Sequence, residues 1–114
     1  MDDCIFCKIV SGEIPSDILY RDDEVIAFRD VHPVAPTHIL IVPVEHLVTT
    51  QDIPDDNTSL AMKMVQTANL LANQEGITEN GYRVVINCGE HGGQVVPHLH
   101  MHLIGGRQLS SSLG

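Results

Sequence analysis

The sequence contains few basic side chains, with six Lys and Arg against fifteen Asp and Glu, which gives a formal net charge of −9. Non-specific binding to nucleic acid needs a basic footprint on the protein surface, so this composition argues against a nucleic-acid partner. A small anionic ligand remains compatible with the charge, provided that backbone N–H groups and histidines hold it instead of a lysine cluster.

Long apolar runs and a basic leader are also missing. No apolar run reaches the ~18 residues that span a membrane, and the segment Met1-Asp2-Asp3-Cys4 is acidic where a signal peptide would be basic. We therefore expect a cytoplasmic protein without a membrane partner. A length of 114 residues with 43% hydrophobic content suits a single globular domain over residues 1–114.

Cysteines are few, and their odd number without a secretion signal argues against a disulfide framework. Cys4 and Cys7 form a Cys-x-x-Cys pair, but no strand is predicted before it, as a redox pair in a βαβ unit would require. We interpret the pair as half of a zinc site whose other ligands come from elsewhere in the chain. Cys88 has no Cys or His at ligand spacing and is expected to be a packed thiol.

Apolar periodicity and turn signals predict an α+β fold. A short helix is expected at 6–11 and a long helix over 60–72, with Gly76 just beyond the end of the long helix. Strands are expected at 18–21, 25–30, 38–42, 82–87 and 98–104. Because the alternation of a doubly wound fold is absent, an antiparallel sheet with one long helix and a short N-terminal helix fits best.

Three histidines at every second position, His98, His100 and His102, form the most informative pattern in the chain. Side chains of a strand alternate between its faces, so the three imidazoles would share one face and the intervening apolar residues the other. A purely structural role explains this poorly, since each buried imidazole needs partners for both ring nitrogens. The pattern indicates either a metal site or nucleophilic and acid–base chemistry.

A glycine-rich loop directly precedes this strand, with the sequence Cys88-Gly89-Glu90-His91-Gly92-Gly93-Gln94. Glycines let backbone N–H groups approach an anion closely, so beside aligned imidazoles the loop is a candidate phosphate cradle. A neutral imidazole is a competent nucleophile toward phosphorus when an acceptor such as a backbone carbonyl holds its other ring nitrogen. Neighbouring histidines that donate to phosphate oxygens would stabilise the transition state.

The sequence resembles the histidine-triad (HIT) family, specifically its Hint-like branch of nucleotide phosphoramidases. The run from His98 to Gly106 has the family signature, His-x-His-x-His-x-x followed by small residues. The likeness extends from Cys4 to Arg107 and includes the segments Glu13-Ile14-Pro15, Ala27-Phe28-Arg29-Asp30, Ala35-Pro36-Thr37-His38, Gly81-Tyr82-Arg83 and Gly92-Gly93-Gln94. It implies a HIT-like fold and a hydrolase that cleaves purine nucleoside phosphoramidates or related AMP and GMP conjugates through a nucleotidyl-histidine intermediate.

The resemblance implies catalytic roles for three histidines. His100 would be the nucleophile on the α-phosphorus, His102 would contact and help neutralise the phosphate, and His38 would support the triad as the family's fourth histidine. Members of the mammalian type carry a serine, thought to assist the leaving amine, where this chain has Val95. They also carry a tryptophan in the C-terminal tail, and this sequence contains none.

The resemblance also implies substrate contacts. Asp30 would accept hydrogen bonds from the ribose hydroxyls. The apolar walls around the base would be Phe6, Ile9, Phe28 and Val31. The phosphate cradle would consist of Asn87 and the backbone of Gly93, Gln94 and Val95.

Zinc-containing members of the family supply the other half of the zinc site. The corresponding ligands here are Cys4, Cys7, His46 and His98, a closed tetrahedral set for a structural ion. His32 and His91 match no signature position and are expected in solvated loops. The resemblance further implies a homodimer whose two sheets join into one.

Two other functions remain open from the sequence. One is a nucleotide-binding regulatory module in which hydrolysis is incidental. The other is a metallohydrolase that uses the three histidines of the strand as metal ligands, although that strand lacks nearby carboxylates.

Overall fold

Two α-helices and five strands make up residues 3–114, the part of the chain that the computed structural model describes. Helix α1 spans Ile5–Ser11 and helix α2 spans Ser59–Gln74. The strands are β1 (Ile18–Arg21), β2 (Val25–Arg29), β3 (Thr37–Pro43), β4 (Tyr82–Ile86) and β5 (Met101–Gly105). The predicted α+β class is confirmed. No helix within the described residues is long and apolar enough to cross a bilayer.

All five strands form one antiparallel sheet in the order β1-β2-β3-β5-β4. Asp22 builds the tight turn between β1 and β2, because its carboxylate accepts hydrogen bonds from the backbone N–H groups of Glu24 and Val25. Strand β5 lies between β3 and β4 and is therefore held on both edges. Its register places Leu40 and Val85 opposite His102.

The two helices cover opposite faces of the sheet. In β2, Val25 and Ala27 pack in the core on the α2 side, whereas Ile26 and Phe28 pack with α1. Successive side chains of a strand point to opposite faces, so this division follows from strand geometry. The buried stripe of α2 consists of Leu60, Met64, Thr67, Ala68, Leu71 and Ala72.

The histidine run differs from the prediction at its start. A strand was expected from position 98, but β5 begins at Met101. A hydrogen bond of 2.9 Å from His98 N–H to Val96 O closes a three-residue turn around Pro97. The N–H of Leu99 then donates to the carbonyl of Leu47 at 2.7 Å, outside the ladders of the sheet. The alternation nevertheless holds, because the apolar residues between the histidines all pack in the α2-side core.

The expectation for Cys88 is wrong. This cysteine is exposed, because it lies after β4 at the start of the glycine-rich loop and not within the sheet. The remaining boundaries of strands and helices agree with the sequence-based expectation to within two residues.

A bidentate ion pair fastens the end of α2 to the sheet. Arg29 of β2 donates to both carboxylate oxygens of Glu75, at 2.8 and 2.9 Å, and the hydroxyl of Thr37 adds a third contact. The hydrogen bonds from Arg29 hold the pKa of Glu75 below its ordinary value, although partial burial acts in the opposite direction. A carboxyl with a lowered pKa in the folded state contributes stability above its unfolded pKa and loses it as the pH falls.

We expect Glu75→Gln to lower the free energy of unfolding by about 1 kcal/mol at neutral pH, since the pair is partly solvent-screened. The deficit should shrink as the pH falls below the unfolded carboxyl value of about 4.3. Urea denaturation across that range measures both effects. Asp17→Asn is the matched control, because Asp17 lies 3.6 Å from Arg29 and its side chain is 69% exposed. Equal losses in the two variants would contradict the assignment.

Candidate active site and metal centre

The histidines of the run line the face of the sheet that α1 covers. His98 is fully buried, His100 is nearly so, and His102 is half-buried. The ring of Phe6 in α1 packs edge-on against His98 and His100, with centroid distances of 5.8 and 5.1 Å. It also packs against Phe28 at 5.6 Å, so α1 and β2 place an apolar wall beside the imidazoles.

A hydrogen bond fixes the tautomer of His100. Its Nδ1 lies 2.7 Å from the carbonyl oxygen of His98. A carbonyl can only accept, so Nδ1 carries the proton and Nε2 retains its lone pair. The turn at His98 therefore produces the arrangement that a histidine nucleophile requires.

A chain of hydrogen bonds fixes the tautomer of His102 in the opposite sense. The N–H of Val34 donates to Nδ1 of His38 at 3.1 Å, so His38 carries its proton on Nε2. That Nε2 lies 2.9 Å from Nδ1 of His102, which must accept. Burial, followed by the neighbouring His100 and His38, lowers the pKa of His102 to about 4. His102 is therefore neutral at pH 7 and offers its Nε2–H as a donor.

Two clusters within residues 3–114 have the composition and spacing of metal ligands. One cluster is Asp30, His38 and His102, and the other is Cys4, Cys7, His46 and His98. In the first, Val34 already donates to Nδ1 of His38, so a metal on Nε2 would require an imidazole stripped of both protons. This cluster is a hydrogen-bond chain rather than a metal site. Within residues 3–114, His98, His100 and His102 do not form a common cluster at ligand spacing, which counts against the metallohydrolase hypothesis.

The second cluster presents its donors as a metal site should. Nε2 of His98 donates to the carbonyl of Pro43 at 2.9 Å, which leaves Nδ1 directed into the cluster. That Nδ1 lies 3.1 Å from Nδ1 of His46, 3.3 Å from Sγ of Cys4 and 3.6 Å from Sγ of Cys7. Donors of a tetrahedral zinc site are separated by about 3.3–3.8 Å, and these separations of 3.1–3.6 Å come close to that range. The cluster therefore has the composition and approximate size of a zinc site.

Burial disfavours charged side chains in the cluster when no cation is present. Burial, together with the hydrogen bond and charge of Cys4, raises the pKa of Cys7 to about 11. Burial likewise lowers the pKa of His98. Without a cation the Cys7 thiol resists ionisation, and metal binding there requires loss of its proton. Sγ of Cys4 also accepts from the N–H of Cys7 and caps α1, so the ligand pair and the helix start form one segment.

The glycine-rich loop is closed on itself. The N–H of Gly93 donates to the carbonyl of Glu90, and the N–H of Gln94 donates to that of Gly89, both at 3.0 Å. Two of the three backbone N–H groups expected in the phosphate cradle are thus engaged within the loop. The third backbone N–H group, on Val95, has no acceptor within residues 3–114. The side-chain amide of Asn87 donates from Nδ2 to the carbonyl oxygen of Gly92 at 2.8 Å and so stabilises the loop.

The side chain of Gln94 has a role that sequence reasoning missed. Its Oε1 accepts from the N–H of Gly89 at 2.9 Å. Its Nε2 donates to the carbonyls of Val48 and Val96, at 2.7 and 3.0 Å. The side chain therefore ties the glycine-rich loop to the segment that follows His46. A lone glutamine in a loop gives no sequence signal for such a clamp.

Of the expected substrate-contacting residues, Phe6 and Asp30 lie directly against the histidines. Asp30 follows β2, and its Oδ2 lies 3.4 Å from Nε2 of His38. Of the residues expected around a base, Phe6, Ile9 and Phe28 are buried together, whereas Val31 is 80% exposed. Val95 is 89% exposed at the rim of the glycine-rich loop. His32 and His91 are both exposed, as expected for histidines in solvated loops.

The fold and the site define an α+β domain that carries a cluster of histidines beside a Cys/His cluster with the composition of a metal site. A family model described as the HIT domain matches residues 11–109. The chain is 50% identical over 112 residues to the purine nucleoside phosphoramidase of Escherichia coli (strain K12), covering 98% of this chain and 94% of that protein. It is 46% identical over 110 residues to a 14 kDa zinc-binding protein of Brassica juncea, covering 95% and 96% of the two chains.

A solved structure agrees over the same length. The HIT family hydrolase from Legionella pneumophila Philadelphia 1 superimposes with a TM-score of 0.94 at 46% identity, covering 98% of this chain and 100% of that one. The chain belongs to the HIT family, and the resemblance stated from the sequence is confirmed.

Proposed function

We propose that this protein hydrolyses purine nucleoside phosphoramidates or related nucleotidyl conjugates, of the AMP-lysine type, through a nucleotidyl-histidine intermediate. The observation that carries the proposal is the pair of complementary tautomers on one face of the sheet. His100 offers a lone pair on Nε2, and His102 offers a proton on Nε2. The name of the Escherichia coli relative supports this class of substrate.

The reaction is a double displacement at phosphorus. Nε2 of His100 attacks the α-phosphorus, and the P–N bond breaks as the amine leaves with its electron pair and takes up a proton. Water then attacks the nucleotidyl-histidine, which releases His100 and the nucleoside monophosphate. The carbonyl of His98 stabilises the charge that His100 gains, and Nε2–H of His102 donates to a phosphoryl oxygen on which negative charge develops.

The remaining site residues bind the nucleotide. The base packs against the apolar wall of Phe6, Ile9, Phe28 and Val31. The ribose hydroxyls donate to Asp30, and the phosphate lies against Asn87 and the backbone of Gly93, Gln94 and Val95. His38 holds His102 through the hydrogen bond between their rings.

We also propose that Cys4, Cys7, His46 and His98 hold one structural zinc ion. A four-ligand zinc ion supplies a link between the N-terminal segment and the sheet and has no open position for substrate. The 14 kDa zinc-binding relative supports metal binding.

The proposed assembly is a cytoplasmic homodimer of single HIT-like domains whose sheets join. Strand β4 lies at the edge of the sheet, and Val84 on it is 39% exposed. An unpaired edge strand is a ready template for pairing with a second chain, which supports this arrangement.

A fluorogenic aminoalkyl phosphoramidate of adenosine tests the function. The protein should release the fluorophore with multiple turnovers, and acid quenching during turnover should trap a nucleotidyl adduct on His100, detectable by mass spectrometry. Tight binding of AMP with neither turnover nor adduct would overturn the proposal and favour the regulatory module.

We expect the protein to bind AMP about tenfold or more tightly than 2′-deoxy-AMP, because the deoxy ligand lacks one charge-assisted hydrogen bond to Asp30, worth about 1.5–3 kcal/mol. An ionised carboxylate has about four lone-pair sites, and the N–H of His32 uses one. Calorimetric titration of both ligands measures the ratio. Equal affinities would remove Asp30 from the ribose site.

A further inference from the structure

The carboxylate of Asp30 is held beside His38 by the backbone as well as by its own side chain. The N–H of Asp30 donates to the carbonyl of His38 at 3.0 Å, which extends the β2–β3 pairing by one residue. Oδ1 of Asp30 accepts from the N–H of His32 at 2.8 Å. Rotation of the carboxylate is thereby restricted, and Oδ2 remains 3.4 Å from Nε2 of His38.

His38 is nearly buried, with a side chain only 5% exposed, and the side chain of Asp30 is 19% exposed. The contact between them is therefore weakly screened by solvent. It acts on the ring nitrogen that donates to His102. Val34 N–H on Nδ1 and the carboxylate beside Nε2 both favour the same tautomer of His38, with the proton on Nε2.

We propose that Asp30 is a positioning residue for His102 as well as a ribose contact, because it holds His38 in the tautomer that directs the Nε2–H of His102 toward the phosphate. This inference rests on the proposed function for its catalytic consequence. An orienting carboxylate that selects the tautomer of a histidine has the same physical role in serine hydrolases. Here the carboxylate of Asp30 acts on the tautomer of His38, and the ring of His38 in turn fixes the tautomer of His102.

The isosteric variant Asp30→Asn separates the two roles. The asparagine Oδ1 can still accept from the N–H of His32, so the local turn is preserved. Its Nδ2 then places donors opposite the Nε2–H of His38. This disfavours the Nε2–H of His38 while Val34 N–H still donates to its Nδ1. We therefore expect the ring of His38 to turn or to exchange between tautomers, so that His102 loses the donor that keeps its own proton on Nε2.

The first test measures ring-nitrogen chemical shifts of the full-length purified protein by NMR, without substrate. In the wild type, His38 and His102 should both show the pattern of a proton on Nε2. In Asp30→Asn, the nitrogen shifts of both rings should change toward the other tautomer or an exchanging mixture. Unchanged patterns in both rings would overturn the inference. This readout is independent of turnover, so it stands even if the proposed function fails.

The second test compares kcat and KM for an adenosine phosphoramidate and its 2′,3′-dideoxy analogue. If Asp30 acted only through the ribose, its replacement would have no effect on the dideoxy substrate. We expect Asp30→Asn to lower kcat for the dideoxy substrate at least about tenfold, since a misdirected donor to the phosphoryl oxygen slows the chemical step. If Asp30→Asn has the wild-type kcat for the dideoxy substrate, the inference is overturned.

Asp22→Asn is the matched control for general destabilisation. Asp22 is also a carboxylate beside a strand, and it accepts from Tyr20 and Lys63 at the β1–β2 turn. We expect this variant to melt at a lower temperature while it keeps the wild-type nitrogen shifts and dideoxy kcat. The same changes in Asp22→Asn as in Asp30→Asn would show a global effect and overturn the positioning role.

Discussion

His100→Ala should lose essentially all turnover of an adenosine phosphoramidate while it still binds AMP. Among the histidines on this face within residues 3–114, His100 alone has its Nε2 lone pair left free by a hydrogen bond from Nδ1 to a backbone carbonyl. Removing a positioned nucleophile costs several orders of magnitude in rate, so we expect a decrease in kcat of roughly a thousandfold or more. Steady-state kinetics and calorimetry with AMP measure the two quantities.

His32→Ala is the control for this experiment. His32 is an exposed loop histidine whose backbone, not its ring, contacts Asp30. Its replacement should leave kcat near the wild-type value. Near-normal turnover in His100→Ala would disprove the covalent mechanism, and loss of that remaining turnover on chelation would support the metallohydrolase hypothesis instead.

Local periodicity predicted the elements and the faces that their side chains occupy. The two-residue repeat of the histidine run was sufficient to separate the imidazoles from Leu99, Met101 and Leu103, because a strand-like backbone alternates whether or not it pairs. The start of β5 was not predictable in this way. Pro97 reads equally well as the first residue of a strand or as the centre of a tight turn, and the hydrogen bond between Leu99 and Leu47 decides for the turn.

Contacts between distant parts of the chain could not be predicted from spacing. His38 and His102 meet because the β3–β5 register pairs His38 with Ile104 and Leu40 with His102, which makes the two histidines diagonal neighbours on one face. The register depends on the whole sheet and not on either segment alone. The resemblance to the HIT family named both residues, but the tautomers that give them different chemistry follow only from the hydrogen bonds.

The metal cluster shows the same limit. The sequence predicted Cys4 and Cys7 as half of a zinc site, and the family resemblance implied His46 and His98 as the other half. The structure shows how His98 can belong to both the proposed metal site and the proposed active site. Its Nδ1 is directed at the other ligands, its Nε2 donates to Pro43, and its carbonyl accepts from His100.

Purified protein should contain close to one zinc ion per chain. The double variant Cys4→Ser, Cys7→Ser should lose the zinc ion and melt at a lower temperature. The site joins the start of α1 to His46 and His98, so metal-binding energy is also folding energy. Structural zinc contributes on the order of 10 kcal/mol of binding free energy, and about 1 kcal/mol shifts the melting temperature of a domain of this size by about 4 °C. If even a quarter of that binding energy stabilises the fold, the double variant should melt roughly 10 °C or more lower. Elemental analysis and calorimetric melting measure both effects.

The double variant should keep substantial activity, because the nucleophile is His100 and a closed four-ligand site leaves no position for substrate. Some slowing is expected, since the carbonyl that holds Nδ1 of His100 belongs to the ligand His98. Cys88→Ser is the control, because Cys88 is exposed and outside the cluster, so it should keep both zinc and melting temperature. Metal-free wild-type protein whose melting is unaffected by chelators would refute the structural role. Complete inactivity of a folded double variant would show that the metal takes part in the chemistry.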